Sequence, residues 1–295
     1  MKNFQVQGRE KRRFWGLMSV AIVLVIIAIF TSIKSREFAE IAFIDVGQGD
    51  AACIITPQGE AVVIDGGEDD SFKEDILPFL IKRGIFSVDY VIASHYHSDH
   101  ADGIVDLLEN MPVKNLIIPD VDYDDEAKDE MLHLAENKNI AVKEISAPDV
   151  IEVSDGLTLR FLFPNSEKFI NSDRNENNDS IVLMVNYFDT SVLFTGDIEK
   201  EVESVLVREA DIEADILKVG HHGSYTSTSQ KFLEEVSPRY AVISVGLGNS
   251  HGHPHDAVVK RLDASGARTY RTDRNGNIVF KADKEGLKEI QIEKK

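Results

Sequence analysis

Residues 90–100 read YVIASHYHSDH, an apolar strand followed at once by four side chains that can bind metal ions. Because residues two apart in an extended segment point the same way, His95 and His97 can bind one cation. The chain then turns into a predicted helix, which lets Asp99 and His100 face a second cation nearby. Three of the nine histidines in the chain fall within this stretch, which argues against a chance cluster of surface histidines. The stretch therefore predicts a two-metal hydrolytic centre in which a metal-activated hydroxide attacks the substrate.

Short apolar runs on both sides of this stretch predict a mixed α/β fold. Strands are predicted at 40–45, 51–56, 61–65, 89–93, 115–118, 140–144, 157–163, 181–187, 191–195, 215–219, 240–245, 267–271 and 277–281. Helices are predicted at 71–83, 102–110, 125–138, 199–209, 228–235 and 255–264. Because strand meanders are mixed with strand–helix units, we expect two mixed sheets with helices on their outer faces. No repeat and no Ser- or Gly-rich linker interrupts this pattern, so a single domain is expected.

The motif HYHSDH at 95–100 resembles the metal signature of the metallo-β-lactamase superfamily. Seven further motifs lie in the order found in one subgroup of it: FIDVGQGD (43–50), VIDGG (63–67), FTGDI (194–198), LKVGHHGS (217–224), VISVG (242–246), GHP (252–254) and YRTD (270–273). Over roughly residues 40–281 the chain resembles the C-terminal hydrolase domain of ComEC-type DNA-uptake proteins and their stand-alone relatives. The resemblance implies a four-layer αββα sandwich with the site at the strand ends between the two sheets.

Carried over to this chain, the resemblance implies a ligand set for two metals. The expected metal ligands are His95, His97, Asp99, His100, Asp197, His221 and His222. Asp197 would bridge both ions. Its position after Gly196, at the end of an apolar strand, supports this role, because a buried acid without a cation would be costly. Helix capping by Asp197 is an alternative that could hold at the same time. The expected catalytic residues are Asp99, Asp197 and His222.

The His221–His222 pair leaves one assignment open. One imidazole would complete the shell of the second metal, and the other would bind a substrate oxyanion or act as a general acid. The sequence does not say which does which. Ser224 and the glycine before it are expected to hold a phosphate. His253 and Asn178 are expected to contact substrate from the same cleft.

Acidic and amide residues also occupy the Gly-rich turns at the strand ends. Asp65 fits a role behind a metal ligand, orienting its imidazole, and Asp45 is assigned the same role. For Gln48 and Asp50, ordinary turn chemistry is an equally good explanation. Three histidines are expected to be ordinary polar residues: His133, His251 and His255.

The first metal has a thin predicted ligand set. Many members of the superfamily supply another histidine between the two main motifs, whereas here the only histidine in that interval is His133, on a predicted helix. The sequence NENNDS at 175–180 occupies the corresponding region. The first metal would then be held by His95, His97 and Asp197, with water or an amide oxygen. Up to two divalent ions are expected, zinc by raw affinity, with manganese as the alternative for an oxygen-rich site.

Charge is unevenly distributed along the chain. Residues 1–36 carry a net charge of +6 and the remaining residues −25. A field of that sign repels long polyanions unless metals or a local basic patch reverse it. The single cysteine, Cys53, excludes intrachain disulfides and zinc sites that need several thiolates.

Residues 14–33 contain no charged side chain and predict a transmembrane helix, because at about 1.5 Å per residue they span the hydrocarbon core of a bilayer. Five basic residues precede this run and two follow it, which places the N-terminus in the cytoplasm and the hydrolase domain outside. A cleaved signal peptide is the alternative. The expected organisation is a cytoplasmic basic tail at 1–13, the membrane helix at 14–33, a linker at 34–39 and the hydrolase domain at 40–295.

Together these features predict a metal-dependent phosphodiesterase or nuclease-like enzyme at the outer face of the cell membrane. The resemblance suggests DNA as one phosphodiester substrate, and the negative charge keeps wall- or lipid-linked phosphodiesters as others. One alternative is a hydrolase of a carbonyl substrate such as a lactam, lactone or thioester. Another is a non-enzymatic binding module of the same fold. Nothing in the sequence indicates an oligomeric state.

Overall fold

The computed structural model describes residues 14–16, 18–19, 36–121, 124–164 and 175–294. The chain divides into two units, residues 1–36 and residues 37–295. The predicted transmembrane helix at 14–33 lies largely outside the described residues, as does the basic tail before it, and both stay predictions. Within the described part of the chain, no helix has the length and apolar character needed to cross a membrane.

Among the described residues of the unit over residues 37–295, fifteen strands form two mixed sheets. In chain order they are β1 (Ala39–Phe43), β2 (Ala52–Ile55), β3 (Ala61–Ile64), β4 (Val88–Ile92), β5 (Val113–Pro119), β6 (Ala141–Ile145), β7 (Asp149–Ser154), β8 (Leu157–Phe163), β9 (Val182–Tyr187), β10 (Thr190–Phe194), β11 (Ile216–Lys218), β12 (Tyr240–Ile243), β13 (Arg268–Arg271), β14 (Asn277–Asp283) and β15 (Gly286–Glu293). The first sheet has the order β15-β14-β1-β2-β3-β4-β5-β6, and the second has the order β13-β12-β11-β10-β9-β8-β7. Each sheet joins an antiparallel half, β15 to β3 or β10 to β7, to a parallel half, β3 to β6 or β13 to β10.

Helices cover the outer face of each sheet. On the first sheet these are a π-helical turn Phe72–Ile76 continued by Leu77–Lys82, then Ser98–Asn110 and Glu126–Lys138. On the second sheet they are Lys200–Glu209, Gln230–Val236 and Asp256–Ser265. Shorter helical segments lie at Glu176–Asp179, Gly220–Gly223 and Thr272–Asn275. The αββα arrangement that the resemblance implied is confirmed.

Alternation along the strands divides the apolar side chains among three cores, because successive strand residues point to opposite faces. On β1, Phe43 faces the core between the sheets, whereas Ala42 faces the helices. The Phe43 ring stacks on that of Phe194 in the other sheet with centroids 5.6 Å apart. The two sheets are therefore in direct contact at the ends of β1 and β10, the strands whose following loops contribute to the site.

The structure adds two edge strands to the predicted ones, β7 and β15. Both are partly exposed and alternate with polar side chains, so they lack the continuous apolar run that marked the buried strands. The helix predicted to begin at residue 102 begins instead at Ser98, directly after His97. The first helical turn therefore carries Asp99 and His100 themselves.

Candidate metal centre

The candidate site lies where parallel strands of both sheets end. In the first sheet β3 and β4 are parallel neighbours, and Asp65 and His95 follow their carboxyl ends. In the second sheet β10 and β11 are parallel neighbours, and the loops after them carry Asp197 and His222. Because the carboxyl ends of parallel strands open at the same edge of a sheet, residues from distant parts of the chain meet here.

One group of possible metal ligands lies around the Nε2 atoms of two buried imidazoles. His100 Nε2 and His222 Nε2 lie 3.3 Å apart. The two carboxylate oxygens of Asp197 lie 3.4 Å from these nitrogens, Oδ1 from His100 and Oδ2 from His222. Asp99 Oδ2 lies 3.1 Å from His222 Nε2. Two nitrogens and two carboxylates thus converge on one small volume.

A second group of donors adjoins the first. His95 Nε2 lies 3.2 Å from His97 Nδ1, so the two side chains point at a common position, as their spacing in the extended segment predicts. Burial lowers the pKa of His95 well below its usual value, which keeps this imidazole in the neutral form that binds metal. The far nitrogen of His97, Nε2, lies 3.0 Å from Glu176 Oε2.

The residues present fit a divalent cation. Asp197 Oδ1 is buried and, apart from His100 Nε2 at 3.4 Å, has no polar partner among the described residues, which is costly unless a cation is bound. Burial disfavours the charged form of His100, but the carboxylates of Asp197, Asp65 and Asp50 outweigh it and raise the pKa of His100 well above its usual value. The cluster thus favours positive charge at its centre, which a divalent cation bound to neutral imidazoles would supply.

Asp65 lies behind His100, as its predicted orienting role requires. Its Oδ2 is 3.0 Å from His100 Nδ1, and it accepts hydrogen bonds from the backbone N–H and the hydroxyl of Ser94 at 2.7 and 2.9 Å. Asp45 lies in the turn after β1, where its Oδ1 accepts a hydrogen bond from the Gly47 backbone N–H at 3.2 Å, and its orienting role stays a prediction.

The backbone conformation directs the rings of His221 and His222 to different positions. Both residues have positive φ, 48° and 51°, a conformation that is costly for residues other than glycine and typical of functional sites. The His222 ring is buried with Nε2 in the donor cluster and Nδ1 3.0 Å from the Ser244 carbonyl oxygen. The His221 ring is 22% exposed, and its Nε2 lies 3.7 Å from Asp197 Oδ2. The geometry therefore favours His222 as the metal ligand and places His221 on the open side.

The three expected substrate contacts occupy different positions. His253 packs its ring against those of His221 and His222, with centroids 5.5 and 6.3 Å away, and burial lowers the pKa of His253 to about 4. Ser224 is buried, and its hydroxyl lies 3.0 Å from that of Thr226, within the loop. The His253 ring thus borders the site in its neutral form, whereas the Ser224 hydroxyl is already engaged.

The expected substrate contact of Asn178 needs correction. Asn178 is 2% exposed, and its Oδ1 accepts a hydrogen bond at 2.8 Å from the backbone N–H of Glu199, immediately before the helix Lys200–Glu209. The carboxamide oxygen therefore stabilises the start of a helix instead of facing the cleft.

The structure brings in residues to which the sequence assigned no role at the site. Asp50, for which turn chemistry was an equal explanation, lies with its Oδ1 3.2 Å from His222 Nδ1. Lys218 is buried, with its Nζ 2.5 Å from Asp50 Oδ2. Glu199 Oε1 lies 3.6 Å from His221 Nδ1. The available signal was a lysine at the end of the apolar strand β11, where an unpaired buried charge would be expensive.

Comparison with known proteins agrees with this fold. The family model described as the metallo-beta-lactamase superfamily matches residues 44–247. ComE operon protein 3 of Bacillus subtilis is 34% identical over 92% of this chain, and competence protein ComA of Neisseria gonorrhoeae is 30% identical over 92%. The chain spans 37% of the length of each of these relatives. The resemblance to ComEC-type proteins is thereby confirmed.

A solved structure agrees on the fold. The crystal structure of the metallo-beta-lactamase fold protein YhfI from Bacillus subtilis matches with a TM-score of 0.58, covering 83% of this chain and 100% of that one. The two sequences are 12% identical. At that identity the match supports the two-sheet architecture and carries no information about the substrate.

Proposed function

Since the chain belongs to the metallo-β-lactamase superfamily, we propose that it is a metal-dependent phosphodiesterase. One observation carries the proposal: Asp197 places both carboxylate oxygens against a cluster of imidazoles and carboxylates that is buried and lacks other hydrogen-bond partners for Oδ1 among the described residues. Divalent cations at such a site supply Lewis-acid stabilisation of developing charge and lower the pKa of water. Zinc has the higher raw affinity for such donors, and manganese is the alternative to test.

The residues around the cluster support two adjacent cation positions. His95 and His97 would hold one ion, and Asp99, His100 and His222 the other, with Asp197 between them. Asp65 keeps its carboxylate against His100 Nδ1, which leaves Nε2 of that ring directed at the cluster. These side chains are held by strand ends and by the first turn of a helix, so the donors are positioned before any ligand arrives.

The imidazoles on the open side favour a phosphodiester over a carbonyl substrate. His221 and His253 place two further imidazoles beside the cluster, and neutral imidazole N–H groups there can donate hydrogen bonds to phosphate oxygens. Burial lowers the pKa of His221 as it does that of His253, so both rings are neutral near pH 7. A tetrahedral phosphate offers more acceptor oxygens than a lactam or thioester carbonyl, and this set of donors suits it better.

Competence relatives make DNA the first substrate to test. The net charge of −25 over residues 37–295 opposes binding of long polyanions, and wall- or lipid-linked phosphodiesters are the second group. A small chromogenic phosphodiester is not a long polyanion, so it reports on phosphodiester hydrolysis without the charge repulsion that opposes DNA binding.

The test compares metal content and turnover in one purified sample. Full-length protein is loaded with Mn²⁺ or Zn²⁺, and hydrolysis of bis(p-nitrophenyl) phosphate and of a chromogenic cephalosporin is measured. We expect phosphodiester turnover in the wild type, loss of both metal and turnover in Asp197→Ala, and wild-type behaviour in the control Asp189→Ala, which alters an exposed turn. Retained turnover in Asp197→Ala would overturn the assignment. Faster cephalosporin hydrolysis would support the carbonyl alternative, and absence of bound metal in the wild type would support a binding module.

We propose further that residues 14–33 anchor the protein in the cell membrane with the hydrolase domain outside. The uncharged run and the excess of basic residues before it support this orientation. Full-length protein is expected to stay in the membrane after alkaline carbonate extraction and to be degraded by protease added to spheroplasts. Release by carbonate, or protection from protease, would contradict the anchor or its orientation respectively.

A further inference from the structure

A buried ion pair lies directly behind the donor cluster. Lys218 and Asp50 have side-chain exposures of 4% and 6%, and the Lys218 Nζ lies 2.5 Å from Asp50 Oδ2. The same ammonium donates a hydrogen bond at 2.9 Å to the Val219 carbonyl oxygen. Lys218 ends the strand β11, and Asp50 lies in the loop between β1 and β2, so the pair joins the two sheets. Burying two charges is expensive even when they are paired, and apolar replacements of similar volume are often as stable.

Asp50 contacts the rear of the imidazoles whose front nitrogens form the cluster. Its Oδ1 lies 3.2 Å from His222 Nδ1, and its Oδ2 lies 3.9 Å from His100 Nδ1. The Nε2 atoms of the same two rings are the ones that meet Asp197. Asp50 is thus close to the cluster without facing its centre.

This position matters because Asp50 has the chemistry of a ligand. One ligand atom each from Asp50, His100, Asp197 and His222 lie within 4.8 Å of one another. Without the ammonium, Asp50 would place an unpaired carboxylate beside two ligand imidazoles, and it would compete for the same cations. With the ammonium on Oδ2 and the His222 ring beside Oδ1, the carboxylate is directed at Nδ1.

We propose that Lys218 is a positioning residue that holds Asp50 against His222 Nδ1. The ring then carries its proton on Nδ1, hydrogen-bonded to the Ser244 carbonyl oxygen with the Asp50 carboxylate 3.2 Å away, and presents an unprotonated Nε2 to the metal. The ammonium also keeps Asp50 out of the ligand shell. This inference rests on the proposed metal centre and is independent of the substrate.

Metal affinity is the direct test. Mn²⁺ binding to full-length protein is measured by calorimetry for the wild type, Lys218→Met, Asp50→Asn and the double variant. Loss of a partner behind a metal ligand typically weakens metal binding about 10–100-fold, and we expect that loss in each single variant. Both residues act through the same contact. The Mn²⁺ affinity of the double variant is therefore expected to be no lower than that of the single variant with the lower affinity. The double variant also removes both buried charges together, so it remains informative where one single variant fails to fold.

Two further measurements separate positioning from a general structural effect. With diamagnetic Zn²⁺ bound, nitrogen-15 chemical shifts of the His222 ring are expected to report the Nδ1-protonated tautomer in the wild type and a changed tautomer population in Lys218→Met. Arg83→Met is the matched control, because it removes another buried cation, 8% exposed and paired with Glu40 and Glu293, from a different part of the fold. It is expected to lower stability and leave Mn²⁺ affinity unchanged.

The outcomes distinguish this inference from the proposed function. Wild-type Mn²⁺ affinity and tautomer in folded Lys218→Met would overturn the positioning role alone. Loss of one whole ion from the stoichiometry of Asp50→Asn would make Asp50 a ligand and would also overturn it. A wild type that binds metal without hydrolysing phosphodiesters would overturn the proposed activity and leave this inference standing. A wild type that binds no metal would overturn both.

Discussion

His100 Nε2 and His222 Nε2 lie 3.3 Å apart although 122 residues separate them in the chain. His100 is in the first turn of a helix on the first sheet, and His222 is in a loop after a strand of the second sheet. Two unprotonated imidazole nitrogens repel each other at this distance, and both face carboxylates. The contact is therefore stable only with a positive charge between or on the rings. A bound cation supplies that charge, so the metal content of variants tests this geometry directly.

The two adjacent histidines of the HHGS motif should differ in their effect on metal binding. His222→Ala removes a buried ring whose Nε2 faces Asp197 and Asp99, so the variant is expected to bind one ion fewer than the wild type. His221→Ala removes a more exposed ring and should keep the metal content while slowing turnover. Inductively coupled plasma mass spectrometry of dialysed proteins measures the difference. Equal loss of metal in both variants would contradict the distinction.

The stabilisation of the fold by bound metal should increase with pH. Burial opposes the charged forms of His100 and His222, but the surrounding carboxylates raise the pKa of both well above the ordinary value of 6.5. Their protonation therefore stabilises the metal-free fold fully below about pH 6.5, and that contribution is lost as pH rises through the raised pKa values. Metal must displace the same protons, so its stabilising effect should grow over the same range.

Thermal unfolding at about pH 6, 7.5 and 9, in chelator and in saturating Mn²⁺, measures how the stabilisation by metal depends on pH. The difference in Tm between the two conditions is expected to widen as pH rises. His133→Gln is the matched control, because His133 is an exposed histidine on the helix Glu126–Lys138. A constant difference in Tm across the three pH values would contradict the prediction.

Gly103→Ala should destabilise the fold, although alanine favours a helix by about 1 kcal/mol over glycine. A Cβ at Gly103 would lie 1.9 Å from the Gly66 carbonyl oxygen, where the helix Ser98–Asn110 crosses the loop after β3. Backbone hydrogen bonds, from Gly66 N–H to the His100 oxygen at 2.8 Å and from Gly103 N–H to the Gly67 oxygen at 3.0 Å, fix that crossing. We expect a loss of about 1–3 kcal/mol in the free energy of unfolding, measured by urea titration.

The control for Gly103→Ala is Glu109→Ala, an exposed position near the end of the same helix. Its effect should lie within about 0.5 kcal/mol. Because the crossing also carries His100, Gly103→Ala should reduce Mn²⁺ affinity as well. A fully stable variant would show that the helix can shift without cost.

Arg83→Met should destabilise the fold without affecting the metal centre. The guanidinium is 8% exposed, pairs with Glu40 Oε2 at 2.5 Å and Glu293 Oε1 at 2.9 Å, and lies 3.6 Å from the centre of the Phe79 ring. Its removal leaves two carboxylates together without a cation, so we expect a loss of about 3 kcal/mol in the free energy of unfolding.

Lys73→Met provides the exposed comparison for Arg83→Met. Lys73 is 53% exposed and pairs with Asp106 at 3.0 Å, and such a surface pair contributes less than about 1 kcal/mol. Similar losses in the two variants would show that burial does not strengthen the Arg83 contacts.

The local part of the site was predictable from spacing. His95, His97, Asp99 and His100 follow one buried strand, and the side-chain directions of an extended segment and a following helix are local properties. The start of that helix was predicted four residues late, because the packing of Gly103 on Gly66 occurs between segments that are far apart in the chain. The edge strands β7 and β15 were missed for a related reason, since their partners in the sheet, rather than their own composition, hold them in place.

By itself the sequence determined the two-sheet fold, the strand ends that carry polar side chains, and the set of residue types able to bind metal. Only the tertiary structure decided that His222 rather than His221 enters the cluster, that Asn178 faces a helix start, and that Lys218 directs Asp50 to the rear of an imidazole. The physical reason is that strand and helix patterns depend on neighbours in sequence. The direction of a buried charge depends on which opposite charge folding brings within contact distance.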